Sequence, residues 1–388
     1  MRKLIYLDHC ATTPLDQRVF AKMQPYFSEF FGNPHSRNHY LGWNAEEAVD
    51  DARKQVATLI NAQPNEIVFT SGATESNNLA IKSSFEMLNT KDAHIITVAT
   101  EHKSVLAPIQ KLEKQGANVT FLPVKPNGLI DLDMLRSSIT DKTVFISVMY
   151  ANNEIGVIQP ILEIGKLAHE FGIIFHCDAT QAIGKISFDV NKENIDLLSF
   201  SGHKIYGPKG VGVLYVNKKL VKKLPSQIDG GNQEQGIRSG TLNVPGIVGL
   251  GEACKICSLV LLQESEYLMG LLNRLENKIK QDLDLVIING DLENRLPNIL
   301  NLSFIGVDGD SLLHKINDIA ISSGSACTDF DNNTSHVLKA MGISDEIARA
   351  TLRFGLGRYN TIEEIDYVAE KIIHVIKNLR SKKKKKLY

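Results

Sequence analysis

The chain has 388 residues, of which 43% are hydrophobic and 22% are charged, a composition that allows a large buried core. Its 43 Lys and Arg against 44 Asp and Glu give a net charge of -1, so neither nucleic acid nor a membrane surface is expected as a partner. Five cysteines are few for this length and favour a reducing compartment over a disulfide scaffold. The apolar run near the N-terminus is too short for a signal-peptide core, and no stretch approaches the ~18 apolar residues of a transmembrane helix. We therefore expect a cytoplasmic protein.

Short apolar runs alternate with longer amphipathic runs through the middle of the chain. The apolar runs are NEIVFT, HIITVAT, NVTFLPV, TVFISVM, GIIFHCD, IDLLSFS and GVGVLYV, with ILEIGKLAHEFG as a helix between two of them. Strands that alternate with helices of ten or more residues predict an α/β protein with a mostly parallel sheet covered on both faces. Ligands of such sheets bind beyond the carboxyl ends of the strands, so the residues that follow each strand are candidates for a site.

The pattern changes in the last third of the chain. One long helix is predicted from about residue 247 to about residue 283, because the segment has few helix breakers. Shorter segments follow and predict a small α+β unit: VIING, NILNLSF, a helix near 310–317, AISSGSAC, TLRFGLGR and a helix from about Ile362. The tail RSKKKKKLY predicts a solvated, disordered end.

These segments predict two domains. A large sheet domain is expected over residues 16–260, and a small domain is expected from residues 1–15 together with 261–388.

Lys204 lies in the segment SFSGHKIYGPKG, directly after an apolar run and among small residues. Chemistry at the α-carbon of an amino acid uses pyridoxal phosphate (PLP) as an electron sink, and a lysine holds that cofactor as a Schiff base. Small neighbours let the backbone approach the ring and the phosphate. On this segment alone, an ordinary lysine in a glycine-rich surface loop is an equally good interpretation.

Asp178 ends the strongly apolar strand GIIFHCD, where an unpaired carboxylate would be unfavourable. A protonated pyridine nitrogen would be a suitable cationic partner, and the carboxylate would keep the ring an effective electron sink. The alternative is a structural Asp that caps the next helix. Gln181, three residues further on, could reach the phenolic oxygen of the ring.

Four further strand ends and turns carry candidate residues. In FTSGATESNNLAI, a strand and a turn lead into a helix whose first N–H groups, near Ala73 and Thr74, could bind a phosphate. His102, in TEHKSV, could stack on a cofactor ring and move protons, although a lone histidine is more often structural. Asn153 and Arg353 are candidates to bind a substrate carboxylate, with a surface salt bridge as the alternative for Arg353.

These segments belong to a series that is recognisable as a whole: YLDHCATTP, FGNPHS, FTSGATESNNLAIK, TEHKSVL, NNEIGVIQP, HCDATQAIGK, SFSGHKIYGPKG, RSGTLNVP, SSGSACT and LRFGLGR. Their order and spacing resemble those of the NifS/IscS-like cysteine desulfurases, in the class V aminotransferase group of PLP enzymes. The resemblance implies the PLP-dependent transferase fold (fold type I), with a large seven-stranded sheet domain, a small domain and a homodimer whose active sites lie at the interface.

The resemblance also implies roles for individual residues. Lys204 would carry PLP, Asp178 and Gln181 would contact the ring, and His102 would stack on it and transfer protons. The phosphate would be held by Thr74, Ser201 and His203, with Thr241 arriving from the other subunit. The substrate L-cysteine would be bound by Asn33, Asn153 and Arg353.

Cys327, in the run ISSGSACTDFDNN of small and polar residues, would decide the reaction. Removal of sulfur from cysteine needs a second nucleophile, and a thiolate in an exposed loop could take the sulfur as a persulfide. From the segment alone an idle exposed cysteine is equally probable, whereas the SSGSAC match favours catalysis. Cys254 and Cys257 form a C-x-x-C pair on the predicted long helix without a second ligand pair, so we expect them to be structural.

Two features depart from the family pattern. The acidic residues Asp329 and Asp331 near Cys327 would oppose formation of its thiolate. Longer members carry a tail after the last helix that helps to dock an iron–sulfur scaffold, whereas this sequence has the short lysine-rich segment RSKKKKKLY there. The family pattern at this point therefore does not carry over scaffold docking, or transient cluster ligation by Cys327 with that partner.

The alternatives are a selenocysteine lyase, a class V aminotransferase, or an inactive sulfur-relay or assembly platform. The sulfur acceptor is left open between an iron–sulfur scaffold, a tRNA-thiolation protein and another cofactor pathway.

Overall fold

A computed structural model describes residues 4–88, 92–323 and 334–386 of the chain. The helices are α1 (Gln17–Met23), α2 (Pro25–Ser28), α3 (Tyr40–Ile60), α4 (Ala73–Leu88), α5 (Lys103–Lys114), α6 (Leu132–Ser138), α7 (Ile161–Glu170), α8 (Val244–Asp282), α9 (Gly309–Lys315), α10 (His336–Ala340), α11 (Asp345–Arg349) and α12 (Ile362–Lys386). The strands are β1 (Ile5–Tyr6), β2 (Ile67–Thr70), β3 (His94–Val98), β4 (Asn118–Leu122), β5 (Thr143–Ser147), β6 (Ile174–Asp178), β7 (Leu197–Ser201), β8 (Gly212–Val216), β9 (Val286–Ile288), β10 (Ile299–Phe304), β11 (Ile319–Ala320), β12 (Ser322–Ser323) and β13 (Thr351–Gly355).

Seven of these strands form one sheet in the order β2-β8-β7-β6-β5-β3-β4. Only β8 is antiparallel to its neighbours, so the carboxyl ends of β2, β3, β5, β6 and β7 lie at the same edge. The predicted mostly parallel sheet is confirmed, and each of the seven apolar runs of the sequence supplies one of its strands.

Alternate residues of each strand enter different cores, because side chains of a strand point to opposite faces. Ile67 and Phe69 of β2 join the core that contains Val56 of α3 and Ile247 of α8. Val68, between them, joins the core that contains Leu79 of α4 and Ile109 of α5. Helices therefore cover both faces of the sheet, as the continuous apolar strands require.

A separate core lies in the C-terminal part of the chain. Strands β12, β13, β10 and β9 form an antiparallel sheet, and β1 pairs in parallel with β11. Its core joins Leu302 and Phe354 of this sheet to Leu272 of α8 and Ile372 of α12, and Leu7 from the N-terminal segment belongs to it as well. The exact domain limits 16–260, 1–15 and 261–388 stay a prediction.

Helix α8 connects the two cores and confirms the predicted long helix. Its first half contributes Cys254 and Cys257 to the core of the large sheet, and its second half contributes Leu272 and Ile279 to the smaller core. Contrary to the expectation from the sequence, α8 contains a stretch long and apolar enough to cross a membrane. Most of that stretch is buried inside the protein, which is the situation of a core helix and is weak evidence for a membrane span.

The disordered end predicted for the lysine-rich tail is wrong for residues 380–386. Helix α12 continues through this segment to Lys386. The Arg380 guanidinium donates hydrogen bonds to the carbonyl oxygens of Asp284, Leu285 and Ile305, which ties this part of the helix to the small unit. Lysine is a good helix former, and extension of an existing helix is much less costly than nucleation.

Two glycines of α8 allow a test of the packing between α3 and α8. A Cβ atom at Gly251 would lie 2.6 Å from the Ala52 Cα atom of α3, whereas one at Gly270 would meet nothing within 4 Å. We expect Gly251→Ala to destabilise the protein by about 1–3 kcal/mol through overpacking. We expect Gly270→Ala to stabilise it by about 0.5–1 kcal/mol, since Ala has the higher helix propensity. The thermal unfolding midpoints of the two variants measure these changes in stability. If both midpoints shifted in the same direction, the close contact between α3 and α8 at Gly251 would be contradicted.

Candidate active site

A cavity of about 620 Å³ lies at the edge of the large sheet where the carboxyl ends of the strands meet, and its size is typical of a small-molecule site. It brings together ten of the residues predicted from the sequence: Ala73, Thr74, His102, Asn153, Asp178, Gln181, Ser201, His203, Lys204 and Arg353. Cys10, Thr12, Glu75, Ser104 and Lys209 are among the other residues that line it.

Two predicted residues, Asn33 and Thr241, do not line this cavity. Asn33 is exposed, and its side-chain oxygen accepts a hydrogen bond from the His35 N–H (3.0 Å). Thr241 is exposed as well, three residues after Arg238, which pairs with Glu75 in the first turn of α4 (2.8 Å). The role predicted for Thr241 is in the site of a second subunit, so its position in one chain does not test that role. Cys327 lies outside the described residues.

Asp178 at the end of β6 is 5% exposed. Its Oδ2 accepts a hydrogen bond from Asn77 Nδ2 (2.7 Å), and its Oδ1 accepts one from the Thr180 N–H (2.9 Å). Both donors are neutral, so they satisfy the oxygens without neutralising the charge. A cation bound in the cavity would therefore be favoured next to this carboxylate.

Asn77 also joins Asp178 to His102 through Ser104. The Asn77 Nδ2 donates to Ser104 Oγ (2.8 Å), and this oxygen lies 2.7 Å from His102 Nδ1. Because Asp178 can only accept, the amide nitrogen of Asn77 has to face it, and the orientation of the amide is fixed. Sequence analysis missed Asn77, although it lies one helical turn after Ala73 and therefore on the same side of α4.

The hydrogen bonds of His102 define its tautomer. His102 is the N-cap of α5, and its Nδ1 accepts a hydrogen bond from the Ser104 N–H (3.1 Å). Nδ1 therefore carries no proton, the Ser104 hydroxyl donates to it, and the neutral ring carries its hydrogen on Nε2. Burial is the main cause that lowers the pKa of His102. The negative charge of Asp178 acts in the opposite direction, and the positive charge of Lys204 lowers the pKa further. His102 is a neutral ring at pH 7.

Glu101, next to His102, is a second residue that sequence analysis missed. It is 0% exposed, and its Oε1 accepts a hydrogen bond from the backbone N–H of Met149. Burial, and after it the charge of Asp178, raises the pKa of Glu101 well above its ordinary value. The neutral carboxylic acid form of Glu101 is therefore favoured next to His102.

Lys204 follows β7 and faces the N-terminal segment of the chain. Its Nζ donates hydrogen bonds to the carbonyl oxygens of Cys10 (2.5 Å) and Ala11 (2.7 Å). The segment is held in place because the Thr13 N–H and hydroxyl both donate to the His203 carbonyl oxygen. The lysine amine thus lies inside the same cavity as the Asp178 carboxylate, as the sequence predicts for a Schiff-base lysine.

The start of α4 forms a close-packed cradle at one side of the cavity. Gly72 has a φ of +154°, and a Cβ atom at Gly212 would lie only 2.5 Å from the Gly72 Cα atom, so both positions require glycine. The Ser201 Oγ lies 3.6 Å from where a Cβ of Gly72 would be. The unbonded N–H groups of the first helical turn and a hydroxyl therefore meet here, a combination that suits a phosphate.

Nearby His203 contributes no charge to this cradle. Its Nδ1 lies 3.1 Å from the Thr12 Oγ1, and burial, followed by the charges of Lys204, Lys209 and Lys185, lowers its pKa to about 4. The exposed Lys209 lines the same side of the cavity and is a cation that sequence analysis did not single out.

Together these features fit PLP. The donor-rich cradle at α4 suits the phosphate, the carboxylate of Asp178 suits a protonated ring nitrogen, and the amine of Lys204 suits a Schiff base.

Arg353 of β13 brings the small unit into the cavity. It is 2% exposed, and its Nη2 donates to Asp8 Oδ1 (2.8 Å) and to Ser322 Oγ (3.0 Å). Its Nη1 donates to the Asn153 carbonyl oxygen (3.0 Å). The ion pair with Asp8 is buried on the Arg353 side, so the alternative of a surface salt bridge is wrong. The guanidinium is held at the cavity wall, where it could bind a carboxylate.

The four described cysteines, Cys10, Cys177, Cys254 and Cys257, are buried and unpaired with one another. Cys10 lines the cavity, and burial raises the pKa of its thiol. Within the described ranges there is no group of three or more His, Cys, Asp or Glu side chains that could hold a metal ion.

The fold and the cavity define a class of protein. The family model of Aminotransferase class-V matches residues 5–368 of this chain. The match covers the large sheet, α8 and most of the small unit.

Individual relatives narrow the class. A cysteine desulfurase IscS of Rickettsia felis is 52% identical over 376 residues, which cover 97% of this chain and 92% of that protein. A solved NifS-like protein has a TM-score of 0.90 and 37% identity, covering 97% of this chain and 100% of its own. A solved structure of SspA in complex with cysteine has a TM-score of 0.82 and 39% identity, and the match covers 92% of this chain and 100% of the SspA chain. The chain belongs to the NifS/IscS-like cysteine desulfurases of the aminotransferase class V family. The resemblance and the predicted fold type I are thereby confirmed.

The protonation of His102 can be measured on the cofactor-free chain. With ¹⁵N-labelled histidine, the His102 ring is expected to show a pKa below 6.5 and, at pH 7–8, a hydrogen on Nε2. The His102→Gln variant assigns its signals among the 11 histidines. A hydrogen on Nδ1, or a pKa above 6.5, would contradict the network described above.

Proposed function

We propose that the protein is a PLP-dependent cysteine desulfurase, which removes sulfur from L-cysteine, releases L-alanine and holds the sulfur as a persulfide on Cys327. The observation that carries the proposal is the convergence of Lys204, Asp178, His102 and Arg353 on one cavity, in a chain 52% identical to proteins named cysteine desulfurase.

The residues proposed to hold the cofactor follow from the cavity. Lys204 would bind it as a Schiff base, Asp178 would pair with the ring nitrogen, and Gln181 would donate to the phenolic oxygen. The phosphate would lie against the start of α4. Its proposed contacts are Ala73, Thr74, Ser201 and His203, with Thr241 supplied by the second subunit of a homodimer. Bound PLP supplies an electron sink that weakens bonds to the α-carbon of the substrate.

Substrate binding would use Arg353, Asn153 and Asn33. The Arg353 guanidinium is positioned by Asp8 and by the Asn153 carbonyl oxygen, so little side-chain entropy is lost when it binds the carboxylate of cysteine. Asn33 is exposed and does not line the cavity, so its contact with the substrate is proposed from the family resemblance alone.

Lys204, once its amine is free, would move the α-proton of the substrate. His102 would stack over the ring, with a proton available at Nε2 and none at Nδ1. The Cys327 thiolate would attack the substrate sulfur. A sulfur–sulfur bond forms, the carbon–sulfur bond breaks with its electron pair going to carbon, and protonation of that carbon yields alanine. The sulfur would then pass to an acceptor.

The acceptor proposed is an iron–sulfur scaffold protein or another sulfur carrier, with tRNA thiolation as a further use. Cys327 would act as a transient cluster ligand only together with such a partner. We propose a cytoplasmic location, with neither nucleic acid nor a membrane as a direct partner.

Lys204→Ala is expected to abolish both the visible absorption of the bound cofactor and alanine formation from cysteine, because the Schiff base cannot form. Absorbance and alanine release measure the two effects. Lys192→Met, which removes a lysine whose side chain is 83% exposed, is the control and should change neither. A Lys204→Ala variant that stays yellow and active would contradict the assignment.

Cys327→Ser is expected to keep the yellow cofactor and to lose sustained sulfide and alanine release, since the hydroxyl cannot accept sulfur. Cys254→Ser changes a buried cysteine of α8 and controls for general thiol effects. Full activity of the Cys327 variant would exclude it as the sulfur acceptor. Keto-acid-dependent transamination, unaffected by Cys327→Ser, would instead identify an aminotransferase.

A further inference from the structure

Lys185 is a buried amine to which the reaction above assigns no role. It lies four residues after Gln181, in the segment that follows β6, and is 9% exposed. Its Nζ donates to the backbone oxygen of Gln181 (2.9 Å) and to Gln181 Oε1 (3.1 Å). Among the described residues no carboxylate lies within ion-pair distance of this amine. A buried ammonium without an anionic partner is costly, so its retention needs a reason.

The contact with Lys185 fixes the orientation of the Gln181 side chain. An amide group alone could be turned either way, but only its oxygen can accept from an ammonium. The amide nitrogen therefore faces the opposite way, where Nε2 donates to the Cys10 carbonyl oxygen (2.9 Å). That carbonyl oxygen also accepts a hydrogen bond from Lys204 Nζ (2.5 Å). The Gln181 N–H groups are thus directed to the place where the Lys204 amine lies.

Lys185 itself is held by its surroundings. The Ser265 hydroxyl of α8 donates a hydrogen bond to the Lys185 carbonyl oxygen (2.5 Å). Lys185 and Lys204 line the same small cavity of about 10 Å³, which leaves room for about one water molecule. The other residues that line this cavity include Glu264, His9 and Asn298, so the region is closely packed but partly polar.

The charge of Lys185 acts on a set of neighbouring groups. Burial, and also the charge of Lys204, lowers the pKa of Lys185 to about 8, so it is mostly charged at pH 7. Its charge in turn lowers the pKa values of His9 and His203. The other titratable groups that act on it are Cys10, Cys257 and Glu264.

We propose that Lys185 is a positioning residue for the cofactor: it holds the Gln181 amide oxygen, so that Nε2 faces the phenolic oxygen of the ring, and its positive charge favours the deprotonated form of the Schiff base on Lys204. This inference rests on the proposed function. Polarisation of the amide by the ammonium makes the Nε2–H a stronger donor, because hydrogen bonds in a chain reinforce one another.

The test is a pH titration of the visible absorption of the PLP-loaded protein. The absorption changes when the Schiff base loses its proton, and loss of a nearby positive charge should raise the midpoint. We expect Lys185→Met to raise it by about one pH unit. Lys185→Arg keeps the charge, so its midpoint should lie close to that of the unsubstituted protein. Lys192→Met removes a surface lysine whose side chain is 83% exposed, and it should leave the midpoint unchanged. If Lys185→Met does not fold, Lys185→Gln is titrated instead, with the same expected direction.

The outcomes separate this inference from the proposed function. A yellow Lys185→Met protein whose midpoint equals that of the unsubstituted protein would overturn the role of Lys185 alone. An unsubstituted protein that gains no visible band with PLP at any pH would overturn the proposed function, and this inference with it.

Discussion

The negative charge of Asp178, buried at the end of β6, adds to the effect of burial on the acids around it. Its oxygens accept hydrogen bonds from Asn77 and Thr180, which are neutral donors. Burial first, and then this charge, raises the pKa of Glu101 and of the Cys177 thiol, which favours their protonated forms. A second anion in the same low-dielectric region would be costly. A cation bound next to this carboxylate would offset the cost of burying its charge.

The sheet and the ends of its strands could be predicted from the sequence, because short continuous apolar runs that alternate with helix-length segments identify buried parallel strands. Asp178, His102 and Lys204 follow such strands, and the shared edge of a parallel sheet brings them together. Asn77 and Ser104 could not be found in this way, since each lies inside a helix and matters only through the side chains it contacts.

Two segments show that composition ignores what the neighbouring residues do. The apolar stretch of α8 is long and apolar enough for a membrane span, but most of it is buried, and the two ends of the helix lie in the two cores. The disordered end expected for the lysine run of α12 is wrong up to Lys386. The last turns of α12 extend a helix that is already anchored by Ile365, Ile372 and Ile376. Tertiary packing decided both cases, as it does for most helices in proteins.

The N-terminal segment explains how the two units act on one site. Leu7 belongs to the smaller core, and Asp8 pairs with Arg353 of β13. Two and three residues further on, the carbonyl oxygens of Cys10 and Ala11 accept from Lys204, and Cys10 also accepts from Gln181. In the proposed reaction, a carboxylate that binds Arg353 would compete with Asp8 for the same guanidinium and would change the forces on the segment that holds the Lys204 amine. Substrate binding by the small unit would then be linked to release of the lysine in the large one through a few covalently connected residues.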